Sequence, residues 1–187
     1  SIENYFFRIE CVKSYLQQVY FEHLSHSFFI ELSKRFNAAL LFSTAYSLSI
    51  KKLGCINKSS DLISNAMISW DTNQFLANEK LDQALGVRTV FSTSPIHQQI
   101  NENLRNLVTC SYDVDVSRWI THGHLGEQSL WACIANLALE FGVSNDISSK
   151  IERGSKEIRF KHAVDFLSKE TLNQSIPMKN LIDWLES

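Results

Sequence analysis

Residues 29–50 read FIELSKRFNAALLFSTAYSLSI, and their apolar and small positions recur every three or four residues. The positions that carry this pattern are Phe29, Leu32, Phe36, Ala39, Ser43, Tyr46 and Ile50. Such spacing places side chains on one face of an α-helix, and Gly54 then supplies a C-terminal stop. Small side chains at Ala39, Ser43 and Ser47 allow another helix to approach closely. The segment therefore predicts one long helix against which others can pack.

A similar stripe opens the chain and predicts a second long helix before this one. Its members are Ile2, Tyr5, Ile9, Val12, Leu16 and Val19. The same spacing of three or four residues continues to His23, His26 and Ile30, so we expect the first helix to continue into the next segment.

Further helices are expected from periodicity, from N-cap candidates such as Asp71 and from the Ser94-Pro95 start signal. They are predicted over residues 61–69, 71–85, 94–110, 127–141, 155–168 and 177–186. Residues 112–116 are expected to form a loop or a short extended piece. The predicted fold class is all-α, a helical bundle with two long N-terminal helices and shorter packed helices. Residues 1–142 form its main body, and residues 143–187 form a C-terminal helical extension packed on the same domain.

The composition of the chain and the motifs it lacks limit the functional classes to which it could belong. The chain of 187 residues has 18 basic and 20 acidic side chains, so no global basic field indicates nucleic-acid binding. Its four cysteines lack a C-x-x-C spacing, and reduced thiols in a cytoplasmic protein are expected. No apolar run approaches a membrane span. Walker A, G-x-S-x-G, Rossmann and H-E-x-x-H motifs do not occur in the sequence.

The densest group of chemically useful residues lies at positions 117–124, which read SRWITHGH. Arg118 provides a permanent cation, and His122 and His124 provide imidazoles whose ordinary pKa lies near neutrality. Gly123 and Gly126 loosen the backbone just before an apolar helical run. An acid/base pair beside a guanidinium at the start of a helix is a plausible place for proton transfer and for stabilising a negative charge.

This segment resembles the motif of the HEPN superfamily, α-helical domains that include metal-independent ribonucleases of toxin and defence systems. The family motif has an Arg, then four to six residues of which the first is usually Asn or another polar residue, and then a His, often as R-N-x-I-A-H-G. Here Ile120, His122 and Gly123 match its second half, whereas Ser117 stands at the Arg position and Arg118 at the Asn position. Either Arg118 pairs with His124 at the permitted spacing, or the motif has decayed and the domain binds without cutting. The resemblance covers roughly residues 1–142.

The resemblance implies a metal-free RNA cut that leaves a 2′,3′-cyclic phosphate, without a cofactor, at a site shared across a homodimer. Arg118 with His122 or His124 would be catalytic, and Ser117 or Thr121 would position the phosphate. An RNA substrate and an antitoxin or other partner protein are the implied partners, in a toxin–antitoxin or defence system. Separately, a polar face with Asn103 and Asn106 on the preceding helix could line a substrate groove.

Other interpretations remain open. Arg118 could pair with Asp113 or Asp115 while the histidines fill a polar turn, and the domain would then be a non-catalytic dimerisation or protein-interaction module. Metal binding is not expected, because neither His122 with His124 nor His23 with His26 has further ligands at a recognised spacing. A solvated helix face is the default for the 101–106 segment. The mixed charges of residues 152–161, including Arg159, indicate a solvent-exposed surface with several salt bridges.

Overall fold

The structure is a computed structural model that describes residues 7–52, 62–85, 95–110, 121 and 123–169. These residues form seven α-helices and one two-stranded antiparallel sheet. The helices are α1 (Ile9–Tyr20), α2 (His26–Lys52), α3 (Glu79–Leu85), α4 (Ile96–Thr109), α5 (Gly123–Glu140), α6 (Asn145–Arg153) and α7 (Lys156–Lys169). The predominantly all-α fold class predicted from the sequence is confirmed.

Helix α2 is central to the fold and packs most extensively against α5 and then against α4. It is buried around most of its circumference, and α5 likewise buries both apolar and small side chains. Small residues such as Ala39 let the neighbouring helices approach. The buried hydroxyls of Ser43 and Thr44 donate to the carbonyls of Ala39 and Leu40, at 2.8 and 2.9 Å, so burying them leaves no unsatisfied donor.

The first helix ends earlier than the sequence pattern predicts. Helix α1 stops at Tyr20, and α2 begins at His26 after a short turn. Ser25 sets this boundary because its Oγ accepts a hydrogen bond from the Phe28 amide at 3.2 Å, as an N-cap does. Val19, assigned to the apolar stripe, is 45% exposed. The prediction of a continuous first helix was therefore wrong at this point.

The segment predicted as two helices over 61–85 contains a β-hairpin instead. A 3₁₀ turn (Asn65–Met67) leads into β1 (Ile68–Asp71), which pairs with β2 (Gln74–Ala77), and only α3 is helical. The central turn residues Thr72 and Asn73 have φ of 45° and 66°. Positive φ at both positions is typical of the type I′ turn that joins tight hairpins. Because neither residue is glycine, the usual sequence signal of this turn is missing.

The hairpin is fixed to the helices by two asparagine side chains. Asn101 on α4 forms two 2.9 Å hydrogen bonds with the backbone N–H and C=O of Ala77. Asn136 on α5 donates to the Ile68 carbonyl at 3.0 Å. These contacts satisfy backbone groups at the edges of a very short sheet.

The last described helices pack on the same bundle. Gly142, at φ 78°, ends α5 as predicted, and Ser144 caps α6 by accepting from the Ile147 amide at 3.3 Å. Helix α6, which was not predicted, packs on α5, and α7 packs on α1. Helices α4 and α7 match their predicted ranges closely, whereas α5 begins four residues before the predicted start. The predicted elements at 112–116 and 177–186 lie outside the described residues.

Candidate functional site

The start of α5 is held against α2 by a buried contact between two threonines. The Oγ1 atoms of Thr44 and Thr121 are 2.6 Å apart, and Thr121 is the donor because Thr44 gives its one hydroxyl hydrogen to the Leu40 carbonyl. Gly126 makes room for this contact, because an added Cβ would overlap the methyl group of Thr121. The backbone that leads into α5 is thus anchored at Thr121, and His124 follows in the first helical turn.

A pocket of about 400 Å³ lies between α1, α5 and α7 and opens to solvent. Its apolar wall includes Phe7, Val12, Tyr15, Leu130, Trp131 and Phe160. Its titratable lining residues include His124, Glu127, Glu157, Arg159 and His162. Apart from Phe7, which precedes α1, the lining residues come from three helices, so the pocket depends on the packing of α7 beside α1 and α5.

Arg159 is the most deeply buried charge of this pocket, at 8% exposure. Its Nη2 donates to the carbonyls of Ile151 and of Glu152, the latter at 3.1 Å, which ties α7 to the end of α6. Its Nη1 lies 3.6 Å from Glu127 Oε1, and its guanidinium carbon lies 4.0 Å from the Trp131 ring centroid. Burying a charge is costly unless it is paired and hydrogen-bonded, and these contacts offset that cost.

The electrostatics of Arg159 reflect two opposing effects. Desolvation by burial lowers the pKa of Arg159, while the neighbouring Tyr15 and Glu127 groups act in the opposite direction. Its Nε is buried and has no hydrogen-bond acceptor within the described part of the chain. The guanidinium nevertheless stays charged near neutral pH, because its ordinary pKa is so high.

Two imidazoles complete the polar lining of the pocket. His124 is partly exposed in the first turn of α5. His162 lies on α7, with Nε2 3.1 Å from Ser14 Oγ and its ring edge against Tyr15. The pocket therefore combines two imidazoles with an apolar wall and a buried ion pair.

The predicted catalytic residues are only partly placed by the structure. His124 lines the pocket. Arg118, His122 and Ser117 lie outside the described residues. Thr121, predicted to position a phosphate, is 4% exposed, and its hydroxyl faces that of Thr44 instead of the pocket.

The two asparagines predicted to line a groove lie on α4, away from this pocket. Asn103 donates to Ser49 Oγ at 2.7 Å and thereby joins α4 to α2. Asn106 is exposed. Neither is among the residues that line the pocket beside His124.

Sequence reasoning missed the roles of Glu127, Arg159 and His162. The assignment of Arg159 to a solvated, salt-bridged surface was wrong, although Arg153 and Lys161 of the same segment are exposed. One signal was present, because Arg159 and the buried Ala163 are four residues apart and share a helix face. The partner Glu127 could not be inferred, since the pairing depends on how α7 packs.

The described ranges show neither a metal-binding cluster nor a membrane-spanning helix. No three His, Cys, Asp or Glu side chains there lie close enough together to hold a metal ion, and His23 and His26 are exposed. Among the helices of those ranges, none combines the length and apolar character needed to cross a membrane.

Comparison with known proteins adds no family assignment. No protein-family model matches the chain, and no curated protein is significantly similar to it in sequence.

Proposed function

We propose that the chain is a HEPN-like, metal-independent endoribonuclease domain that acts as a homodimer in a microbial toxin–antitoxin or defence system. One observation carries the proposal: His124 lines an open pocket, directly after the R-x-I-x-H-G segment, together with other titratable groups. The helical bundle around it is consistent with the architecture that the resemblance implies. A cytoplasmic location belongs to the same proposal, and the free thiols of Cys11, Cys110 and Cys133 are compatible with it.

The reaction would be an internal transesterification of RNA. The His124 imidazole takes the proton of a ribose 2′-hydroxyl, and the 2′-oxygen attacks the adjacent phosphorus. The bond from phosphorus to the 5′-oxygen breaks, and that oxygen takes up a proton from an imidazolium or from water. The products are a 2′,3′-cyclic phosphate and a free 5′-hydroxyl.

The negative charge of the phosphorane needs a nearby cation. Arg118 has this role in the proposal, since a guanidinium offers paired donors to phosphate oxygens. The first turn of α5 favours an anion as well, because its N–H groups have no partner within the helix. His122 is the alternative base, with His124 then protonating the leaving oxygen.

The test is cleavage of single-stranded RNA by the purified protein in the presence of a chelator. We expect products that end in 2′,3′-cyclic phosphate, and no cleavage of a matched strand that carries 2′-deoxyribose throughout. Arg118→Ala should abolish cleavage while leaving the circular dichroism spectrum unchanged. Intact RNA after incubation with folded wild-type protein, or cleavage of the deoxy strand, would refute the proposal.

A second candidate function is a non-catalytic interaction module, and exposed apolar side chains favour it. Ile158, Phe160 and Val164 on α7 are 58%, 43% and 42% exposed, and Val19 on α1 is 45% exposed. Exposed apolar patches often mark protein contacts. If Val164→Glu changed a dimer into a monomer by light scattering while RNA stayed intact with every variant, the module would be favoured over the enzyme.

A further inference from the structure

Helix α7 exposes two large apolar side chains on one face. Phe160 and Val164 are four residues apart, so they lie on the same side of the helix, and they are 43% and 42% exposed. Phe160 also lines the pocket between α1, α5 and α7, so the pair continues the apolar wall of that pocket. Continuous apolar surface often marks a contact site, and this surface, the Phe160–Val164 face, is therefore expected to have a partner.

The opposite side of α7 is more polar, although Ile158 on that side is 58% exposed. Successive residues of an α-helix are about 100° apart, so Ile158 points away from Phe160. The groove beside Ile158 is lined in part by Gln18, Lys161 and Asp165. A single apolar side chain among polar neighbours is common on protein surfaces and needs no partner.

The chain supplies an amphipathic segment shortly after α7. Helix α7 ends at Lys169, and residues 177–186, which are predicted to be helical and lie outside the described residues, follow after a linker of residues 170–176. At helical spacing one side of this segment is apolar and carries Met178, Leu181, Ile182 and Leu185. A helix this short is marginal in water on its own, so it needs a surface on which its apolar side can pack.

The linker is long enough for the segment to return along α7. Its seven residues, 170–176, span at most about 23–25 Å, and α7, with 14 residues, is about 21 Å long. An antiparallel helix over residues 177–186 is about 15 Å long and would pass both Val164 and Phe160. Tethering through a short linker also keeps the segment at an effective concentration of about 1 mM, which favours it over a second copy in dilute solution.

We propose that residues 177–186 dock antiparallel to α7 on the Phe160–Val164 face, with the side that carries Leu181 and Leu185 towards it. This docking does not require ribonuclease activity. It places the C-terminal segment at one border of the pocket that His124 lines, because Phe160 belongs both to the face and to the pocket.

The test measures how fast a thiol reagent labels a cysteine placed on α7 in the full chain. Val164→Cys puts the thiol on the Phe160–Val164 face, and Ile158→Cys, on the opposite side, is the matched control. Each rate is divided by the rate of the same variant in urea. We expect Val164→Cys to react at least about 10-fold more slowly than Ile158→Cys, because a covered thiol reacts only when the covering segment opens. Mass spectrometry of the labelled peptides separates these thiols from the native cysteines.

Variants of the segment then assign the protection to it. Leu181→Asp, on the apolar side, should raise the labelling rate of Val164→Cys about 10-fold, since it removes a buried apolar contact. Asn180→Asp adds the same charge on the polar side and should leave that rate unchanged.

Three results would overturn the docking. They are equal labelling of Val164→Cys and Ile158→Cys, protection that survives Leu181→Asp, and protection that disappears on dilution. The last would assign the Phe160–Val164 face to a second copy of the chain and would favour the interaction module.

Discussion

Replacing Arg159 by alanine should destabilise the fold more than any other removal of a positive charge from α6 or α7. Its guanidinium donates to two carbonyls at the end of α6, lies against Trp131 and pairs with Glu127. Removing one partner of a buried ion pair typically costs about 3–5 kcal/mol, because the other charge stays buried without compensation. Since total stability is usually only about 5–15 kcal/mol, a loss of this size would be plain in an unfolding experiment.

The assay is urea unfolding followed by far-ultraviolet circular dichroism, with Arg153→Ala as the matched control. Arg153 lies near a carboxylate too, 3.6 Å from Glu152, but its side chain is 79% exposed. The Glu152 side chain is only 8% exposed, but its Oε2 accepts a hydrogen bond from the Asn65 amide at 2.8 Å and so keeps a partner when the exposed Arg153 is removed. This control should therefore leave the free energy of unfolding almost unchanged. Arg159→Lys should give an intermediate loss, because lysine keeps the charge but not the planar fork of donors. Equal losses for Arg159→Ala and Arg153→Ala would refute the reasoning.

Three further predictions concern local packing and capping. Gly126→Ala should lower the free energy of unfolding by about 1–3 kcal/mol, because the new methyl meets that of Thr121, and a stabilised protein in urea unfolding would contradict this. Ser144→Ala should cost about 1 kcal/mol by loss of the α6 cap, whereas Ser144→Asp should restore most of it in the same measurement. A thiol reagent should modify the exposed Cys110 quickly and the buried Cys133 only on unfolding, since burial raises the pKa of the Cys133 thiol; equal rates by mass spectrometry would count against the structure.

The helices that could be predicted are those whose own sequence shows both a periodic apolar face and signals for where the helix ends. Helix α2 shows a long stripe, and the buried face of α4 follows Ile96, Ile100 and Leu104 as expected. The hairpin was missed because its turn uses Thr72 and Asn73 at positive φ in place of a glycine. The hairpin depends on tertiary contacts, and the periodicity of apolar residues in the sequence does not reveal such contacts.

The residues of the candidate site likewise fall into those that the sequence could indicate and those that it could not. His124 could be singled out from the sequence because its chemistry is concentrated in one short segment with Arg118 and His122. Glu127 could not, since nothing in its own helix marks it, and the face that Arg159 shares with Ala163 does not indicate which residue Arg159 pairs with. Their significance comes from the packing of α7 beside α5, which buries both side chains and forms the aromatic pocket around them.

The most direct measurement for the ribonuclease proposal is the rate of RNA cleavage by His124→Ala in the presence of a chelator, relative to the wild-type protein and to His23→Ala. His23 is exposed in the turn between α1 and α2, away from the pocket, and provides the matched control. We expect His124→Ala to lower the rate by about 10²–10⁴-fold, as loss of a general base does, and His23→Ala to leave it unchanged. A folded His124→Ala protein that cuts RNA at the wild-type rate would contradict the account.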